Sequence, residues 1–385
     1  MTLNLDKSSW RRAAFGDVVH SVNETVRDAD AAGIDRLIAM EHLDPGELRV
    51  ERWGSIAVGT TFTRRVRPGQ TLFGKRRAYQ RKVAYAEFDA ICSGDILTFE
   101  ADSNQMLPEF LPFLCQSDEF FAHALGTSAG SLSPRTNWRD LSSFEFDLPP
   151  LDEQSGLADL LWGLALYSGS HQDLAATQAR AASVYLDSVL ADSGTETALE
   201  GVVAGIVDCA HNTAPTDPAG EGRVVGTPDV RDGRIDIDSA RRVSDLTYRQ
   251  WTERAIPRAG DLIFTREAPV GEVGIVPDSE RLCLGQRTVL IQPKDRSQSS
   301  LIWAILRSEA VQALIQTRAA GSTVPHLNVS DIRSLPVPWP ATVEGAERVR
   351  KAVAISQRAD TAIRVERKSA AALRASLLAD MFGGV

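Results

Sequence analysis

Long apolar runs, paired cysteines and catalytic signatures are all missing from this chain of 385 residues, and each absence removes a class of function. No apolar stretch approaches the roughly 18 residues that a membrane-spanning helix needs. The opening residues, Met1-Thr2-Leu3-Asn4-Leu5-Asp6, carry neither the basic nor the apolar region of a secretory signal. A soluble, cytoplasmic protein with no membrane partner is therefore expected. The four cysteines, Cys92, Cys115, Cys209 and Cys283, show no C-x-x-C spacing and no clustering with histidine, so neither a metal site nor a disulfide framework is predicted. The chain has no G-x-x-x-x-G-K-[ST] phosphate loop, no G-x-S-x-G turn, no H-E-x-x-H pair and no strand-helix G-x-G-x-x-G, so no cofactor is expected. Excess basic charge is lacking as well. The net charge of −9 argues against a nucleic-acid binder held by long-range attraction, and leaves only local patches to do such work.

What the chain does have is a copy of itself. Shifted by 191 residues, Cys92 falls on Cys283, Gly69 on Gly260, Phe73 on Phe264, Asp17 on Asp208 and His20 on His211. The strongest stretch is Gly130-Ser131-x-x-Pro134-x-x-Asn137-x-x-Asp140-Leu141-x-Ser143, which returns as Gly321-Ser322-x-x-Pro325-x-x-Asn328-x-x-Asp331-Ile332-x-Ser334. Two copies in one polypeptide imitate a homodimer, and approximate two-fold symmetry is the usual way to read two half-sites on a duplex. Double-stranded DNA is thus the first partner to consider.

Within each copy the texture changes once, at Pro149-Pro150-Leu151-Asp152-Glu153-Gln154 and at Pro336-Val337-Pro338-Trp339-Pro340. Upstream lie short strand-like runs: 70–73, 96–99, 261–264 and 288–291. One helix per copy follows them, Leu107 to about Leu125 and Ser299 to about Thr317. Downstream, apolar residues recur at helical spacing: Leu157, Leu160, Leu164 and Leu174 in the first copy, Val349, Ile363, Leu373 and Leu377 in the second. A helix of roughly 35 residues runs about 50 Å and cannot be buried in one small domain, so each stripe needs a partner, which the other copy supplies. The fold class predicted is α+β: two globular α/β domains, residues 1–150 and 194–340, alternating with two long helices, residues 151–193 and 341–385, that pair as an antiparallel coiled coil. Gly163 and Gly169 predict a kink in the first helix.

The stretch from Arg64 to Lys82 holds eight basic residues and no acid. Arg64, Arg65, Lys75, Arg76, Arg77, Arg81 and Lys82, with Tyr79 among them, are candidate contacts to phosphates or base edges. The equivalent loop of the second copy keeps one basic residue, Arg266, as expected if each copy reads a different sequence. Ser131, Arg135, Asn137, Ser322, Thr323, His326 and Asn328 in the Gly-Ser loops, and Arg287 after Gly285, are further candidates, the competing reading being ordinary turns and caps. The repeated Asp-x-x-His of Asp17/His20 and Asp208/His211 has the form of a dyad, though a carboxylate and a histidine one turn apart are commonly a structural pair.

The duplicated domain plus long helix, the Leu148-Pro149-Pro150-Leu151-Asp152-Glu153-Gln154 boundary, the helix start Leu157-Ala158-Asp159-Leu160-Leu161-Trp162 and the Gly-Ser-x-x-Pro-x-x-Asn-x-x-Asp-Leu loop together resemble the DNA specificity subunit of Type I restriction-modification systems. The resemblance implies two target recognition domains, each reading half of a split sequence. It implies helices that act as a ruler for the gap and dock two methyltransferase subunits, with motor and nuclease subunits as further partners of the family. It also implies a non-catalytic role, the methyltransferase subunits bringing S-adenosylmethionine. A specificity subunit serving a methyltransferase-only or other phage-defence system fits the same residues. A duplicated enzyme with one site per half, built on Asp-x-x-His, and a coiled-coil scaffold without nucleic acid are the readings from other classes.

Overall fold

In a computed structural model, residues 5–130, 133–278, 280–320 and 325–383 are described. The chain divides into two units, unit 1 formed by Met1–Asp173 with Arg364–Val385 and unit 2 by Leu174–Ile363. The strands of unit 1 are β1 (Arg11–Ala14), β2 (Val19–Val22), β3 (Arg36–Ile38), β4 (Gly54–Ser55), β5 (Arg64–Val66), β6 (Thr71–Gly74), β7 (Val83–Tyr85), β8 (Ala90–Cys92), β9 (Ile96–Ala101) and β10 (Glu145–Leu148), with β-branched and aromatic residues concentrated in β6, β7 and β9. They assemble as two four-stranded sheets, ordered β2-β9-β6-β7 and β4-β3-β8-β5, and the pair β1-β10. Helices α1 (Phe15–Val18), α2 (Leu111–Gln116), α3 (Asp118–Gly126) and α4 (Trp138–Leu141) cover the first sheet. Phe15, Phe73, Phe99 and Phe120 meet there at ring separations of 4.9–5.9 Å, mostly tilted or edge-on.

The long helix α5 (Leu151–Ser193) runs for 43 residues without interruption at Gly163 or Gly169. Its start is locked by the boundary motif. Gln154 is fully buried; its Oε1 accepts from Leu107 N at 2.8 Å, and its Nε2 donates to the carbonyls of Gln105 at 2.9 Å and Pro149 at 2.8 Å. Glu153 accepts from Trp10 Nε1 at 2.8 Å and Ser9 Oγ at 2.6 Å. The Glu-Gln pair is thus a clasp between helix and domain.

Unit 2 repeats the plan with β11 (Gly194–Ala198), α6 (Leu199–Val202), β12 (Val203–Asp208), β13 (Gly222–Val225), β14 (Val230–Arg231), β15 (Arg234–Ile235), β16 (Arg241–Val243), α7 (Asp245–Trp251), β17 (Leu262–Arg266), β18 (Val270–Ile275), β19 (Leu282–Leu284), β20 (Thr288–Pro293), α8 (Ser299–Arg307), α9 (Glu309–Ala319), α10 (Val329–Arg333) and β21 (Pro336–Pro340). Its main sheet, β12-β20-β17-β18, has the order of β2-β9-β6-β7 in unit 1. Cys92 and Cys283 sit on equivalent strands, each beside a parallel neighbour, and Gly69 and Gly260 turn the chain into equivalent strands at φ of +88° and +86°. The second long helix, α11 (Val343–Phe382), spans 40 residues and starts differently from the first, on Thr342, whose Oγ1 accepts from Gly345 N at 3.0 Å.

Three expectations need correcting. The helices expected over 107–125 and 299–317 are each two helices, broken at Ser117 and Ser308, whose extended backbones and side-chain oxygens cap the second segment. The ungapped register fails near the start of each copy. Phe15-Gly16-Asp17-Val18 of α1 corresponds to Leu199-Glu200-Gly201-Val202 of α6, and His20 and Gly205 face Glu100 and Gln292 on equivalent strands. Asp17 and His20 are therefore not the counterparts of Asp208 and His211, because the stretch from the start of β12 to the start of β17 is longer than that from the start of β2 to the start of β6. Finally, Leu160 and Leu174 are 45% and 51% exposed. In unit 1 the inward positions go to Ala158 and Leu161 of α5, which pack with Leu377, Leu378, Met381 and Phe382 of α11 on the domain core. Leu157, Leu164 and Leu373 flank this cluster. Tyr167 Oη meets Glu366 at 2.9 Å further along, so the helices run antiparallel. In unit 2 Leu186, Val189 and Leu190 of α5 share a core with Val349 and Val353 of α11, and Ile363 is buried.

Replacing Gln154 with alanine leaves one donor and two acceptors unpaired in the core. The substitution is expected to cost about 3 kcal/mol, read as a lower urea midpoint for unit 1 unfolding.

Candidate nucleic-acid interface

Two motifs that are far apart in the sequence of unit 1 meet in space. Strand β6 ends at Gly74, and the basic loop that follows is stitched to residues 134–136: Thr136 N donates to Lys75 O at 3.1 Å, and Arg77 N to Pro134 O at 2.8 Å. Arg77 adopts a left-handed conformation, φ +55°, which turns the loop at this point. Between the two segments stands Asp95. It pairs with Arg76 Nη1 at 3.3 Å and Arg135 Nε at 3.1 Å, while Arg76 Nε also donates to Ser133 Oγ at 2.7 Å. Partial burial pushes the Asp95 carboxyl up, but the hydrogen bonds and charges of Arg135 and Arg76 outweigh it and hold the carboxyl below its usual range. Burial, and then the charge of Arg64, lowers the pKa of Lys75.

The basic stretch 64–82 divides into a tethered and a presented part. Arg64 bonds Asn23 Oδ1 and the carbonyl of Ile96, Arg65 pairs with Asp89 and Glu24, and Lys82 donates to Met40 O at 2.6 Å. Arg81 donates to Gln116 O at 2.9 Å, pairs with Asp118 at 2.6 Å and lies over the Phe121 ring. These residues brace the fold. Among the described residues, Lys75, Arg77 and Tyr79 hold no side-chain hydrogen bond or ion pair, and Arg77 and Tyr79 are exposed. Asn137 and Asn328 sit at the N-caps of α4 and α10, and Asn328 N donates to Asp331 Oδ2 at 3.0 Å, a capping contact. Ser131, Ser322 and Thr323 lie outside the described residues.

The same junction occurs in unit 2 with different side chains. Arg266 ends β17 where Lys75 follows β6: Leu327 N donates to Arg266 O at 3.0 Å, and Arg266 N donates to Arg287 O at 2.8 Å, as Lys75 N does to Asp95 O at 3.0 Å. Residues 76 and 135 form a bridge in unit 1, and 267 and 326 form the matching one in unit 2. Arg76 thus corresponds to Glu267, Asp95 to Arg287 and Arg135 to His326. The ion pair Arg76–Asp95 at 3.3 Å becomes Glu267–Arg287 at 3.3 Å, with the charges exchanged. Arg266 also reaches Asp208 at 3.6 Å, and Asp208 meets His211 at 3.3 Å. The Asp208–His211 pair therefore braces this junction, and unit 1 has Asn23 at the position of Asp208. Sequence reasoning missed Asp95 and Ser133, and singled out Asp208 only as half of an Asp-x-x-His pair. The signal was present as a compensated exchange between the copies, acid for base at one position and base for acid at its partner.

Catalytic chemistry finds little support at these junctions. Burial raises the thiols of Cys92 and Cys283 to about 12, which removes them as nucleophiles. Among the described residues no group of three or more His, Cys, Asp or Glu is placed to hold a metal, and no helix is long and apolar enough to cross a membrane.

No protein-family model matches the chain. Over 104 residues it is 24% identical to the Type I restriction enzyme MjaIX specificity subunit of Methanocaldococcus jannaschii, a match covering 27% of this chain and 23% of that protein's length. The solved Type I restriction-modification S subunit from M. genitalium superposes with a TM-score of 0.59 at 12% identity over 100% of both chains. A chain from a structural study of complex assembly and conformational transition in a type I R-M system gives a TM-score of 0.50 at 18% identity, covering 98% of this chain and 99% of the other.

Asp95→Asn removes the negative charge shared by Arg76 and Arg135 and replaces one of its two accepting oxygens with a donor. A loss of about 1 kcal/mol is expected at pH 7. Because the folded carboxyl titrates below its unfolded value of about 4, its contribution is complete above that value and is lost as pH falls through the folded pKa. Denaturation curves of the wild type and the variant should therefore converge at acid pH.

Proposed function

We propose that this chain, which has the fold of a Type I restriction-modification S subunit, is the non-catalytic DNA-specificity subunit of such a system in the cytoplasm, each unit reading one half of a two-part target in duplex DNA. The observation that carries the reading is the pair of equivalent junctions with charge-exchanged side chains. A duplicated scaffold that keeps its backbone stitching while changing the groups it presents is suited to reading two different half-sites. In unit 1, Lys75, Arg77 and Tyr79 are the groups free to approach phosphates and base edges; in unit 2, Arg287 and His326, which stand where unit 1 has Asp95 and Arg135, are the groups at the matching junction assigned to this role. Net acidity elsewhere keeps non-specific attraction low, so contacts at these loops dominate affinity.

Docking of methyltransferase subunits, which would supply S-adenosylmethionine chemistry, is assigned to the long helices. Leu166 and Tyr167 of α5 in unit 1, and Val184 and Tyr185 of α5 with Ile355 of α11 in unit 2, are apolar or aromatic and 42–68% exposed. Exposed side chains of this size along a helix suit a helical partner.

Base-resolution methylation sequencing of a host with and without the gene tests the reading. Loss of a two-part methylated motif with an unspecified gap is the expected result; an unchanged methylome, even with the neighbouring methyltransferase co-expressed, would contradict it. Arg77→Ala and Arg287→Ala should relax different halves of the motif, each by about tenfold or more in discrimination, in line with roughly 1–3 kcal/mol for a base contact.

A further inference from the structure

Unit 1 holds a cavity of about 630 Å³ between the C-terminal part of α11, the α2–α3 corner and the turn at Pro45–Glu47. Its walls are strongly basic: Arg81, Arg364, Arg367, Lys368 and Arg374 face it, against Glu47 and Asp118, and Asp118 is already paired with Arg81. Four of those cations come from one face of α11, in a chain whose net charge is −9. Arg374 lies at the base, donating to Gly46 O at 2.7 Å and Gln116 Oε1 at 2.6 Å. Burial lowers its pKa, as does the charge of Arg81. Because Oε1 of Gln116 faces Arg374, the orientation of the amide is fixed. Its Nε2 is a buried donor with no partner among the described residues, on a side chain only 5% exposed that lines the cavity.

The repeat supplies an internal control. The helix starts Leu151 and Val343 correspond, so Arg367, Lys368, Ala371 and Arg374 of α11 match Ala175, Ala176, Ala179 and Ala182 of α5. The corresponding hollow in unit 2 is lined by Ala179, Ala182, Ser183 and Leu186, measures about 170 Å³ and has Arg307, stacked on Trp303, where unit 1 has Gln116. The helix packs on its domain in unit 2 without a single cation at those positions. Basic charge in the unit 1 cavity is therefore not a requirement of the fold, and five cations cluster there against two acids, Glu47 and Asp118.

We propose that this cavity is a phosphate-binding site, taking a polyanion whose phosphate oxygens accept from Gln116 Nε2, Arg367, Lys368 and Arg374. The lining is rich in donors, guanidinium forks match phosphate oxygens bidentately, and an excess of cations calls for a ligand bearing more than one negative charge. The volume falls within the range of small-molecule pockets. The phosphate belongs either to a free phosphorylated small molecule or to the backbone of bound DNA. Apart from Arg81, the site is built from residues outside the strand-end loops.

The test uses the full chain, with sodium pyrophosphate as calorimetric probe and duplex DNA in an anisotropy titration at several salt concentrations. Arg367→Ala/Lys368→Ala installs the alanines that the repeat carries at the matching helix positions, so folding is retained; Gln116→Leu removes the orphan donor. Pyrophosphate binding weakened at least tenfold by both variants supports the site with a free phosphate ligand. No pyrophosphate binding, but a salt slope for DNA shallower by about 2 in the double variant, supports it with backbone phosphate as the source. Pyrophosphate binding that ignores both variants, or no pyrophosphate binding together with an unchanged salt slope, overturns the proposal. Arg77→Ala separates the two readings: it should weaken DNA binding and leave pyrophosphate binding unchanged. Pyrophosphate binding at the cavity in a chain that binds no DNA would sink the DNA reading and leave this one standing.

Discussion

Helices of 43 and 40 residues present more apolar length than one unit can cover, and the structure meets that constraint by dividing each helix between units. The first part of α5 and the last part of α11 complete one core, through Ala158, Leu161, Leu377 and Phe382. The last part of α5 and the first part of α11 complete the other, through Leu186, Val189, Val349 and Val353. The remaining features depend on this arrangement. The Gln154 clasp fixes where α5 leaves its domain, the antiparallel run follows from pairing the start of one helix with the end of the other, and the basic cavity exists because a segment of α11 lies against α2 and α3.

Elements whose residues repeat a local rule were legible in the sequence. Strands at Thr71–Gly74 and Leu262–Arg266 follow from β-branched and aromatic runs after a turning glycine, and the helix boundaries follow from proline. The repeat itself was visible because an ungapped shift catches the later part of both copies. The shift misled at Asp17 and His20, where loops of unequal length move the register, and a matching pair of letters stood in for a matching position. The helix expected over 107–125 hid its break because serine is unexceptional in a helix until its oxygen is seen to cap the next segment. Leu160 and Leu161 differ by one place in the stripe, and only the direction of the domain core decides which is inward.

At the candidate interface, sequence found the loops and missed the frame. Charge alone nominated Arg64, Arg65, Arg81 and Lys82, yet each spends its donors on carbonyls, amides or carboxylates of its own unit. Asp95 drew no notice because a single acid near a turn carries no pattern. Its importance lies in neutralising part of the charge of Arg76 and Arg135 while setting their direction, which leaves Lys75 and Arg77 as the groups with unspent capacity. The exchange to Glu267 and Arg287 keeps that geometry with opposite polarity, so the copies diverged by a linked change rather than by erosion.

The division of the helices also sets an order of assembly. Phe382 packs against Phe110 with ring centroids 5.7 Å apart, and Lys7 Nζ donates to Met381 O at 3.0 Å. Unit 1 therefore cannot close its core until Met381 and Phe382 leave the ribosome, about 200 residues after Asp173. At roughly 5–20 residues per second that is a wait of about 10–40 s with Phe110 and Leu161 uncovered. Unit 2 is one continuous stretch, Leu174–Ile363, and has all of its residues sooner. The unit translated second is the first that can be complete, and the nascent first unit is the one that needs protection from aggregation in the interval.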